Sequence, residues 1–216
     1  MKTTLRPQSS DASAHASAER SDEELLAAYR DKGDRRAFDT LVHRYENELY
    51  RYLHRFLGDG AMAEDAFQTT FLQVHLKCDQ FDTKRRFRPW LYTVATNQAI
   101  DTQRRNKRHQ SVSLDRGRRQ DAQSDEVSLV DLLVHDDQGP VSELEQMERR
   151  NWVREAVANL PEQLRSAVLL IYFQGLKYRE AAEALSIPVG TVKSRLHTAI
   201  MKLNEAWTRG ELSKEA

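Results

Sequence analysis

Between Phe38 and Phe56 the apolar residues Phe38, Leu41, Val42, Tyr45, Leu49, Tyr52, Leu53 and Phe56 fall on an i+3/i+4 repeat. That spacing lines one face of an α-helix and does not fit the two-residue period of a strand. The same period begins earlier, in "SDEELLAAY", where Ser21 followed three residues later by Glu24 is a capping-box signature. Gly33-Asp34 breaks the pattern, with Asp34 a candidate cap for the long helix, and Gly58 and Gly60 end it. A third helix, from about Met62 to Lys77, turns Ala63, Ala66, Phe67, Thr70 and Val74 inward, and its periodicity leaves the side of Phe71 open. Nothing in this half alternates like a strand. Four helices around one core is the economical reading, once a helix beyond the polar loop 79–86 is added.

That fourth helix starts at Arg88-Pro89, since proline is tolerated in a first helical turn. Leu91, Val94, Ala95 and Ala99 give it an apolar face as far as about Arg108, and Asn97, Asp101, Arg104 and Arg108 form a neighbouring polar stripe. It lies in the most charged part of the chain. Lys84 to Arg119 holds eleven Lys or Arg against two acids, a net of +9, whereas residues 120–148 hold nine acids and no Lys or Arg. The overall net charge of zero therefore conceals a segmented design. A helix packed on one side and basic on the other suits a nucleic-acid backbone; a solvated basic face is the plainer alternative.

From Gln110 to Gln146 the composition is that of a linker, with one apolar patch, "VSLVDLLV" (127–134). Helical periodicity then returns. One helix ends near Leu160, and another runs from Pro161 to Gly175. Two short helices follow, Tyr178–Leu185 and about Thr191–Ala206, separated by "SIPVG" (186–190). Two helices so connected have the form of a helix-turn-helix, although ordinary helical hairpins share it. In the second, Val192, Leu196, Ala199 and Leu203 should pack inward, leaving Ser194, His197, Thr198 and Met201 facing out and Lys193 and Arg195 on the flanks. Such a surface suits a major groove.

Several classes are excluded. A single cysteine, Cys78, cannot form an intrachain disulfide framework or a cysteine-rich zinc site. No apolar run approaches 18 residues and no signal-peptide core is present, so a cytoplasmic protein without membrane insertion is expected. There is no Gly-rich phosphate loop, spaced His/Cys set or nucleophile elbow, so neither an enzyme nor a bound cofactor or metal is expected. His43, His54 and His75 read as satisfied surface or boundary residues, and Cys78 as an inert thiol.

The ordered set of motifs resembles the extracytoplasmic-function (ECF) group of bacterial sigma-70 factors. "AFDTLVHRYENELYRYLHRFLGDGAMAEDAFQTTFLQVHLK" (37–77) is similar to the first segments of sigma region 2, and "FRPWLYTVATNQAIDTQRRNKR" (87–108) to its melting and minus-ten-reading segments. "NLPEQLRSAVLLIYFQGLKYREAAEALSIPVGTVKSRLHTAIMKL" (159–203) is similar to region 4. The resemblance implies an all-α protein of two small helical domains joined by a flexible acidic linker. Its parts would be a disordered tail (1–20), region 2 (21–110), linker (111–145), region 4 (146–208) and a short tail (209–216). It implies docking of Asp65, Gln68, Phe71 and Leu72 on the beta-prime clamp helices of core RNA polymerase, with the beta flap as a further contact. Thr69, where many relatives carry Glu, departs from the pattern. Minus-ten reading falls to Asn97, Arg104, Arg105, Lys107 and Arg108, with Asp101 pairing structurally, Tyr92 a candidate for base stacking, and Trp90 read first as core and only second as a stacking platform. Minus-thirty-five reading falls to Tyr178, Arg179, Lys193, Ser194, Arg195, His197 and Thr198; His197 and Thr198 stand where relatives often have an aromatic and an Arg. The acidic linker, through Asp131, Asp136 and Asp137, is a candidate mask for the basic stretch or an imitation of RNA in its exit channel. The implied partners are core polymerase, promoter DNA and, where one restrains the factor, an anti-sigma protein. Two other readings stay open: a conventional helix-turn-helix regulator, and a sigma mimic that binds an anti-sigma protein without reading DNA.

Overall fold

The computed structural model describes residues 20–110 and 143–212, with side chains at 20–106 and 147–209. The N-terminal tail before Arg20, the acidic stretch 111–142 with its patch and carboxylates, and residues 213–216 lie outside the described residues. Every regular element among the described residues is helical.

Helix α1 (Asp22–Lys32) opens on the expected capping box: Ser21 Oγ accepts from the Glu24 N–H, and Glu24 accepts from the Ser21 N–H. It stops at Gly33, whose φ of 65° is the left-handed conformation that a Cβ disfavours. Asp34 caps α2 (Arg35–Leu57) by accepting from the N–H groups of Arg36 and Ala37. Helix α2 is the central beam. Leu41, Tyr45, Leu49, Tyr52, Leu53 and Phe56 are all buried along it, while Phe38 and Val42 pack at the margin. Asp59 caps α3 (Gly60–Lys77), so Gly60 starts the next helix and does not merely end the last. A 3₁₀ turn (Cys78–Gln80) leads through buried Phe81 to α4 (Phe87–Gln110). Helices α1 to α4 close on one another as a four-helix unit.

The second unit begins with α5 (Glu143–Ala158). Helix α6 (Glu162–Val168) continues into a π-helical turn, Leu169–Phe173. Helix α7 (Tyr178–Leu185) has the bounds the sequence suggests, whereas α8 runs from Val189 to Leu212, longer than expected at both ends. Gly190 is inside α8. The connection is only Ser186–Pro188: Ser186 takes φ 53°, and the Pro188 carbonyl accepts the Thr191 N–H of the first turn. Val192, Leu196, Ala199 and Leu203 are buried as predicted. A linker between two domains suggests separate bodies, but here α7 packs directly on α4 and the π-helical turn on α2.

Candidate nucleic-acid and polymerase interface

Helix α4 is set by its buried face. Leu91, Val94, Ala95 and Ala99 are inside, and the Phe87 N–H donates to Glu23 Oε1 at 2.8 Å, tying the helix start to α1. Phe81, Phe87 and half-buried Trp90 form an aromatic cluster beneath the preceding loop, with the Phe81–Trp90 centroids 4.9 Å apart. Trp90 therefore belongs to the packing, the first of its two readings. Tyr92 is a correction. It is fully buried, its hydroxyl 2.6 Å from Gln174 Oε1 and 3.2 Å from Glu48 Oε1, so it offers no face to a base.

On the opposite side Asn97, Asp101, Arg104 and Arg105 are all exposed. Asp101 pairs with Arg104 at 4.0 Å, and Arg105 Nε reaches the Asp101 carbonyl at 3.4 Å. The Asp101 carboxylate thus sits beside Arg104 at i, i+3 spacing, whereas Arg105 is held by the main-chain carbonyl one turn back. The side chains of Lys107 and Arg108 lie outside the described set.

Buried polar groups fix the helix in place. Tyr52 and Thr96 hydroxyls meet at 2.7 Å in the core, and Thr96 also donates to the Tyr92 carbonyl. Burial raises the pKa of Tyr52 against a small opposing effect of Thr96. Burial and then the Glu48 carboxylate raise that of Tyr92. For Arg88 burial disfavours the charge, but Glu48 and Tyr92 outweigh it and the pKa is raised. Arg88 Nη1 donates to the Gln174 carbonyl at 2.7 Å. None of these contacts was legible in the sequence.

On α3, Asp65, Gln68 and Leu72 share an exposed stripe, with Leu72 53% accessible. Phe71 does not join it. It is 6% accessible, edge-on to Phe67 and Phe38, which makes it a support for the stripe and not a docking side chain. Leu76, 59% accessible and one turn beyond Leu72, extends the stripe. Its spacing of i+4 from Leu72 was the available signal. His75 meets Tyr29 at 2.6 Å, His43 meets the Asp39 carbonyl, and buried Cys78 has a thiol pKa raised by burial.

In the helix-turn-helix, Lys193, Ser194, His197, Thr198, Tyr178 and Arg179 are all exposed, and Lys193 Nζ sits 5.8 Å from the Tyr178 ring centre. The turn thus gathers both helices' candidates on one surface. Arg195 differs, being half-buried with Nη2 3.5 Å from Gln163 Oε1. Among the described residues no group of three His, Cys, Asp or Glu is placed to hold a metal, and no helix is long and apolar enough to cross a membrane.

Comparison with known proteins gives this geometry a class. Sigma-70 region 2 matches residues 41–109, and sigma-70 region 4 matches residues 150–203. Two helical units carrying those regions in that order define the sigma-70 type of transcription initiation factor. The chain is 33% identical over 166 residues to the ECF RNA polymerase sigma factor SigW of Bacillus subtilis, covering 77% of this chain and 86% of SigW. It is 32% identical over 180 residues to the RNA polymerase sigma-H factor of Pseudomonas aeruginosa, covering 81% and 88%. The chain belongs to the extracytoplasmic-function group of sigma-70 factors. Solved structures agree on the fold. CnrH, in complex with the cytosolic domain of CnrY, matches with a TM-score of 0.61 at 24% identity, covering 88% of this chain and 99% of that one. The sigma factor RpoE of Bartonella quintana, in complex with the anti-sigma factor NepR, matches with a TM-score of 0.59 at 23% identity, covering 79% and 96%.

Proposed function

We propose that this sigma factor binds core RNA polymerase through α3, reads one melted strand of the minus-ten element on α4 and reads the minus-thirty-five duplex with α8. The N-terminal unit, residues 21–110, supplies docking and melting; the C-terminal unit, 146–208, supplies duplex recognition and a contact with the beta flap. Residues 111–145 connect them, and 1–20 and 209–216 are tails. The work is done in the cytoplasm, as a binding factor and not as an enzyme. An anti-sigma protein is a partner of the kind that the group uses.

The observation that carries this reading is the disposition of α4: its apolar face is locked into the core while Asn97, Arg104 and Arg105 stand in solvent. A base turned out of the stack needs a side chain able both to donate and to accept, and Asn97 provides both. The strand's phosphates need cations, and Arg104, Arg105, Lys107 and Arg108 supply them. On α8, Lys193, Ser194, His197 and Thr198 occupy the exposed face near the helix start, and the backbone contacts fall to Tyr178 and Arg179, exposed at the start of α7. Arg195, turned toward Gln163, serves to orient the helix. On α3, Asp65, Gln68 and Leu72 offer polar and apolar contacts side by side, with Leu76 added. The separate test of docking is a pull-down of core polymerase: Leu72→Asp should abolish capture while Asn97→Ala leaves it intact, and equal capture by both would remove α3 from the interface.

A further inference from the structure

The outward face of α8 carries two hydroxyls whose protons are already engaged. Ser194 Oγ donates to the Thr191 carbonyl at 3.0 Å, and Thr198 Oγ1 donates to the Ser194 carbonyl at 2.9 Å. A hydroxyl that bonds back to the preceding turn in this way has only lone pairs left to offer outward. Thr198 adds its γ-methyl to the same surface. One turn further on, at i+3 from Thr198 and i+4 from His197, stands Met201, 49% accessible. Val192, Leu196 and Leu203 turn inward from the same helix, so Met201 is out of register with the core. Lys193 does not complete this patch: its Nζ lies 5.8 Å from the Tyr178 ring centre and is drawn toward α7. From Ser194 to Met201 the patch runs about 10 Å at about 1.5 Å per residue, a length that a major groove about 12 Å wide accepts.

We propose that Thr198 and Met201 make this factor select an A·T pair in its upstream element, Thr198 accepting from the adenine amine and Met201 covering the thymine methyl. This rests on the reading of α8 as the duplex reader. In the major groove an acceptor is matched by the exocyclic amines of adenine and cytosine, and an apolar group by the thymine methyl. An A·T pair presents an amine and a methyl on one edge. A G·C pair presents an amine and no methyl, and it sets the guanine O6 and N7 acceptors against a thioether and a methyl that cannot donate. Those acceptors would lose water and gain no partner, which costs more than a missing apolar contact. An arginine at 198 would reverse the choice, since its fork donates twice to guanine O6 and N7. Threonine at this position therefore changes which base pair is read.

The test uses the holoenzyme, the full chain on core polymerase, with a linear promoter library randomised across the upstream element. Sequencing the templates that it retains gives the preference at each base pair. The unsubstituted factor should show a position that favours A·T over G·C by about fivefold or more, the usual cost of one wrong pair. Thr198→Arg should turn that same position to G·C. A duplex with uracil in place of that thymine lacks only the C5 methyl. It should bind about fourfold more weakly, the worth of one buried methyl group, and Met201→Ala should bind the two duplexes alike. Thermal melting checks that each variant is folded. An upstream element without such a position, an A·T preference that Thr198→Arg leaves unaltered, or a uracil penalty that Met201→Ala retains overturns the proposal and leaves α8 as the reader. A library with no enriched upstream element overturns the assignment of α8 instead, and the proposal with it.

Discussion

The Tyr92 hydroxyl donates to Gln174 Oε1 at 2.6 Å, joining the basic helix to a residue just ahead of the helix-turn-helix. Both residues are buried, Tyr92 completely and Gln174 to 7% accessibility. Removing the hydroxyl with Tyr92→Phe leaves the Gln174 amide oxygen without its short donor inside the protein. A loss of about 1–3 kcal/mol is expected in urea unfolding, and Gln174→Ala in the same background should add less than it does alone. Independent, additive losses would mean that the two side chains do not meet in solution.

Burial also gives the fold an alkaline limit. Tyr45, Tyr52 and Tyr92 all have pKa values raised in the folded state, burial being the first cause for each. The unfolded phenols ionise near pH 10 while the folded ones stay protonated, so their contribution is complete below about pH 10 and falls as pH rises beyond it. Each should contribute a decline of about 1.4 kcal/mol per pH unit. Denaturation between pH 9 and 11 checks this: Tyr52→Phe should flatten the decline, and an unchanged slope would contradict the burial account.

How much of this was legible follows from how local each cause is. The Ser21–Glu24 box, the Asp34 cap and the bounds of α7 depend on residues within one turn of each other, and the sequence displays them. The burial of Tyr92 depends on Gln174, 82 residues away, and no periodicity in α4 announces it; a tyrosine beside a basic stripe looks as much like a stacking platform as like core. Phe71 lies between the inward Thr70 and Val74 and the outward Leu72, so only the positions of Phe38 and Phe67 decide its side. Gly190 looked like a break because glycine often is one, but Pro188 starts the helix and places it in the first turn. The π-helical turn at Leu169–Phe173 adds a residue to an otherwise regular apolar run and leaves no compositional mark. The outward stripes of α4 and α8, with Asn97, Arg104, Ser194, His197 and Thr198, were readable from spacing; Asp65, Gln68 and Leu72 came only with the resemblance to region 2, Leu76 was missed, and the contacts between the two units were not readable at all.

Position on α3 separates docking from support. Leu72→Ala should lower affinity for core polymerase by about tenfold or more if it is a central anchor, with thermal stability nearly unchanged because the side chain is 53% accessible. Phe71→Ala should instead cost about 3–5 kcal/mol of stability, the usual loss for a buried aromatic. Equal destabilisation by both would place Leu72 in the core and remove it from the interface.

Salt dependence identifies what Arg104 and Arg105 do. If both neutralise phosphates of a single strand, the double Ala variant should lower the slope of log K against log salt by about 1.4, at about 0.7 per contact. Asn97→Ala should weaken binding to the cognate strand and leave that slope alone, since a base contact releases no counterion. Binding to a minus-ten single strand, titrated with salt, distinguishes these. A slope change for Asn97→Ala, or none for the arginine pair, would exchange or remove their roles.

Promoter-directed initiation is the central claim, and transcription in vitro tests it most directly. The purified protein is combined with bacterial core RNA polymerase and fragmented genomic DNA, and the 5′ ends of the transcripts are mapped. The account predicts discrete start sites that share two upstream elements, both dependent on the added factor. Asn97→Ala should lose starts through the downstream element and Lys193→Ala through the upstream one. Core polymerase that binds the protein tightly yet produces no defined starts, or starts indifferent to both substitutions, would contradict it.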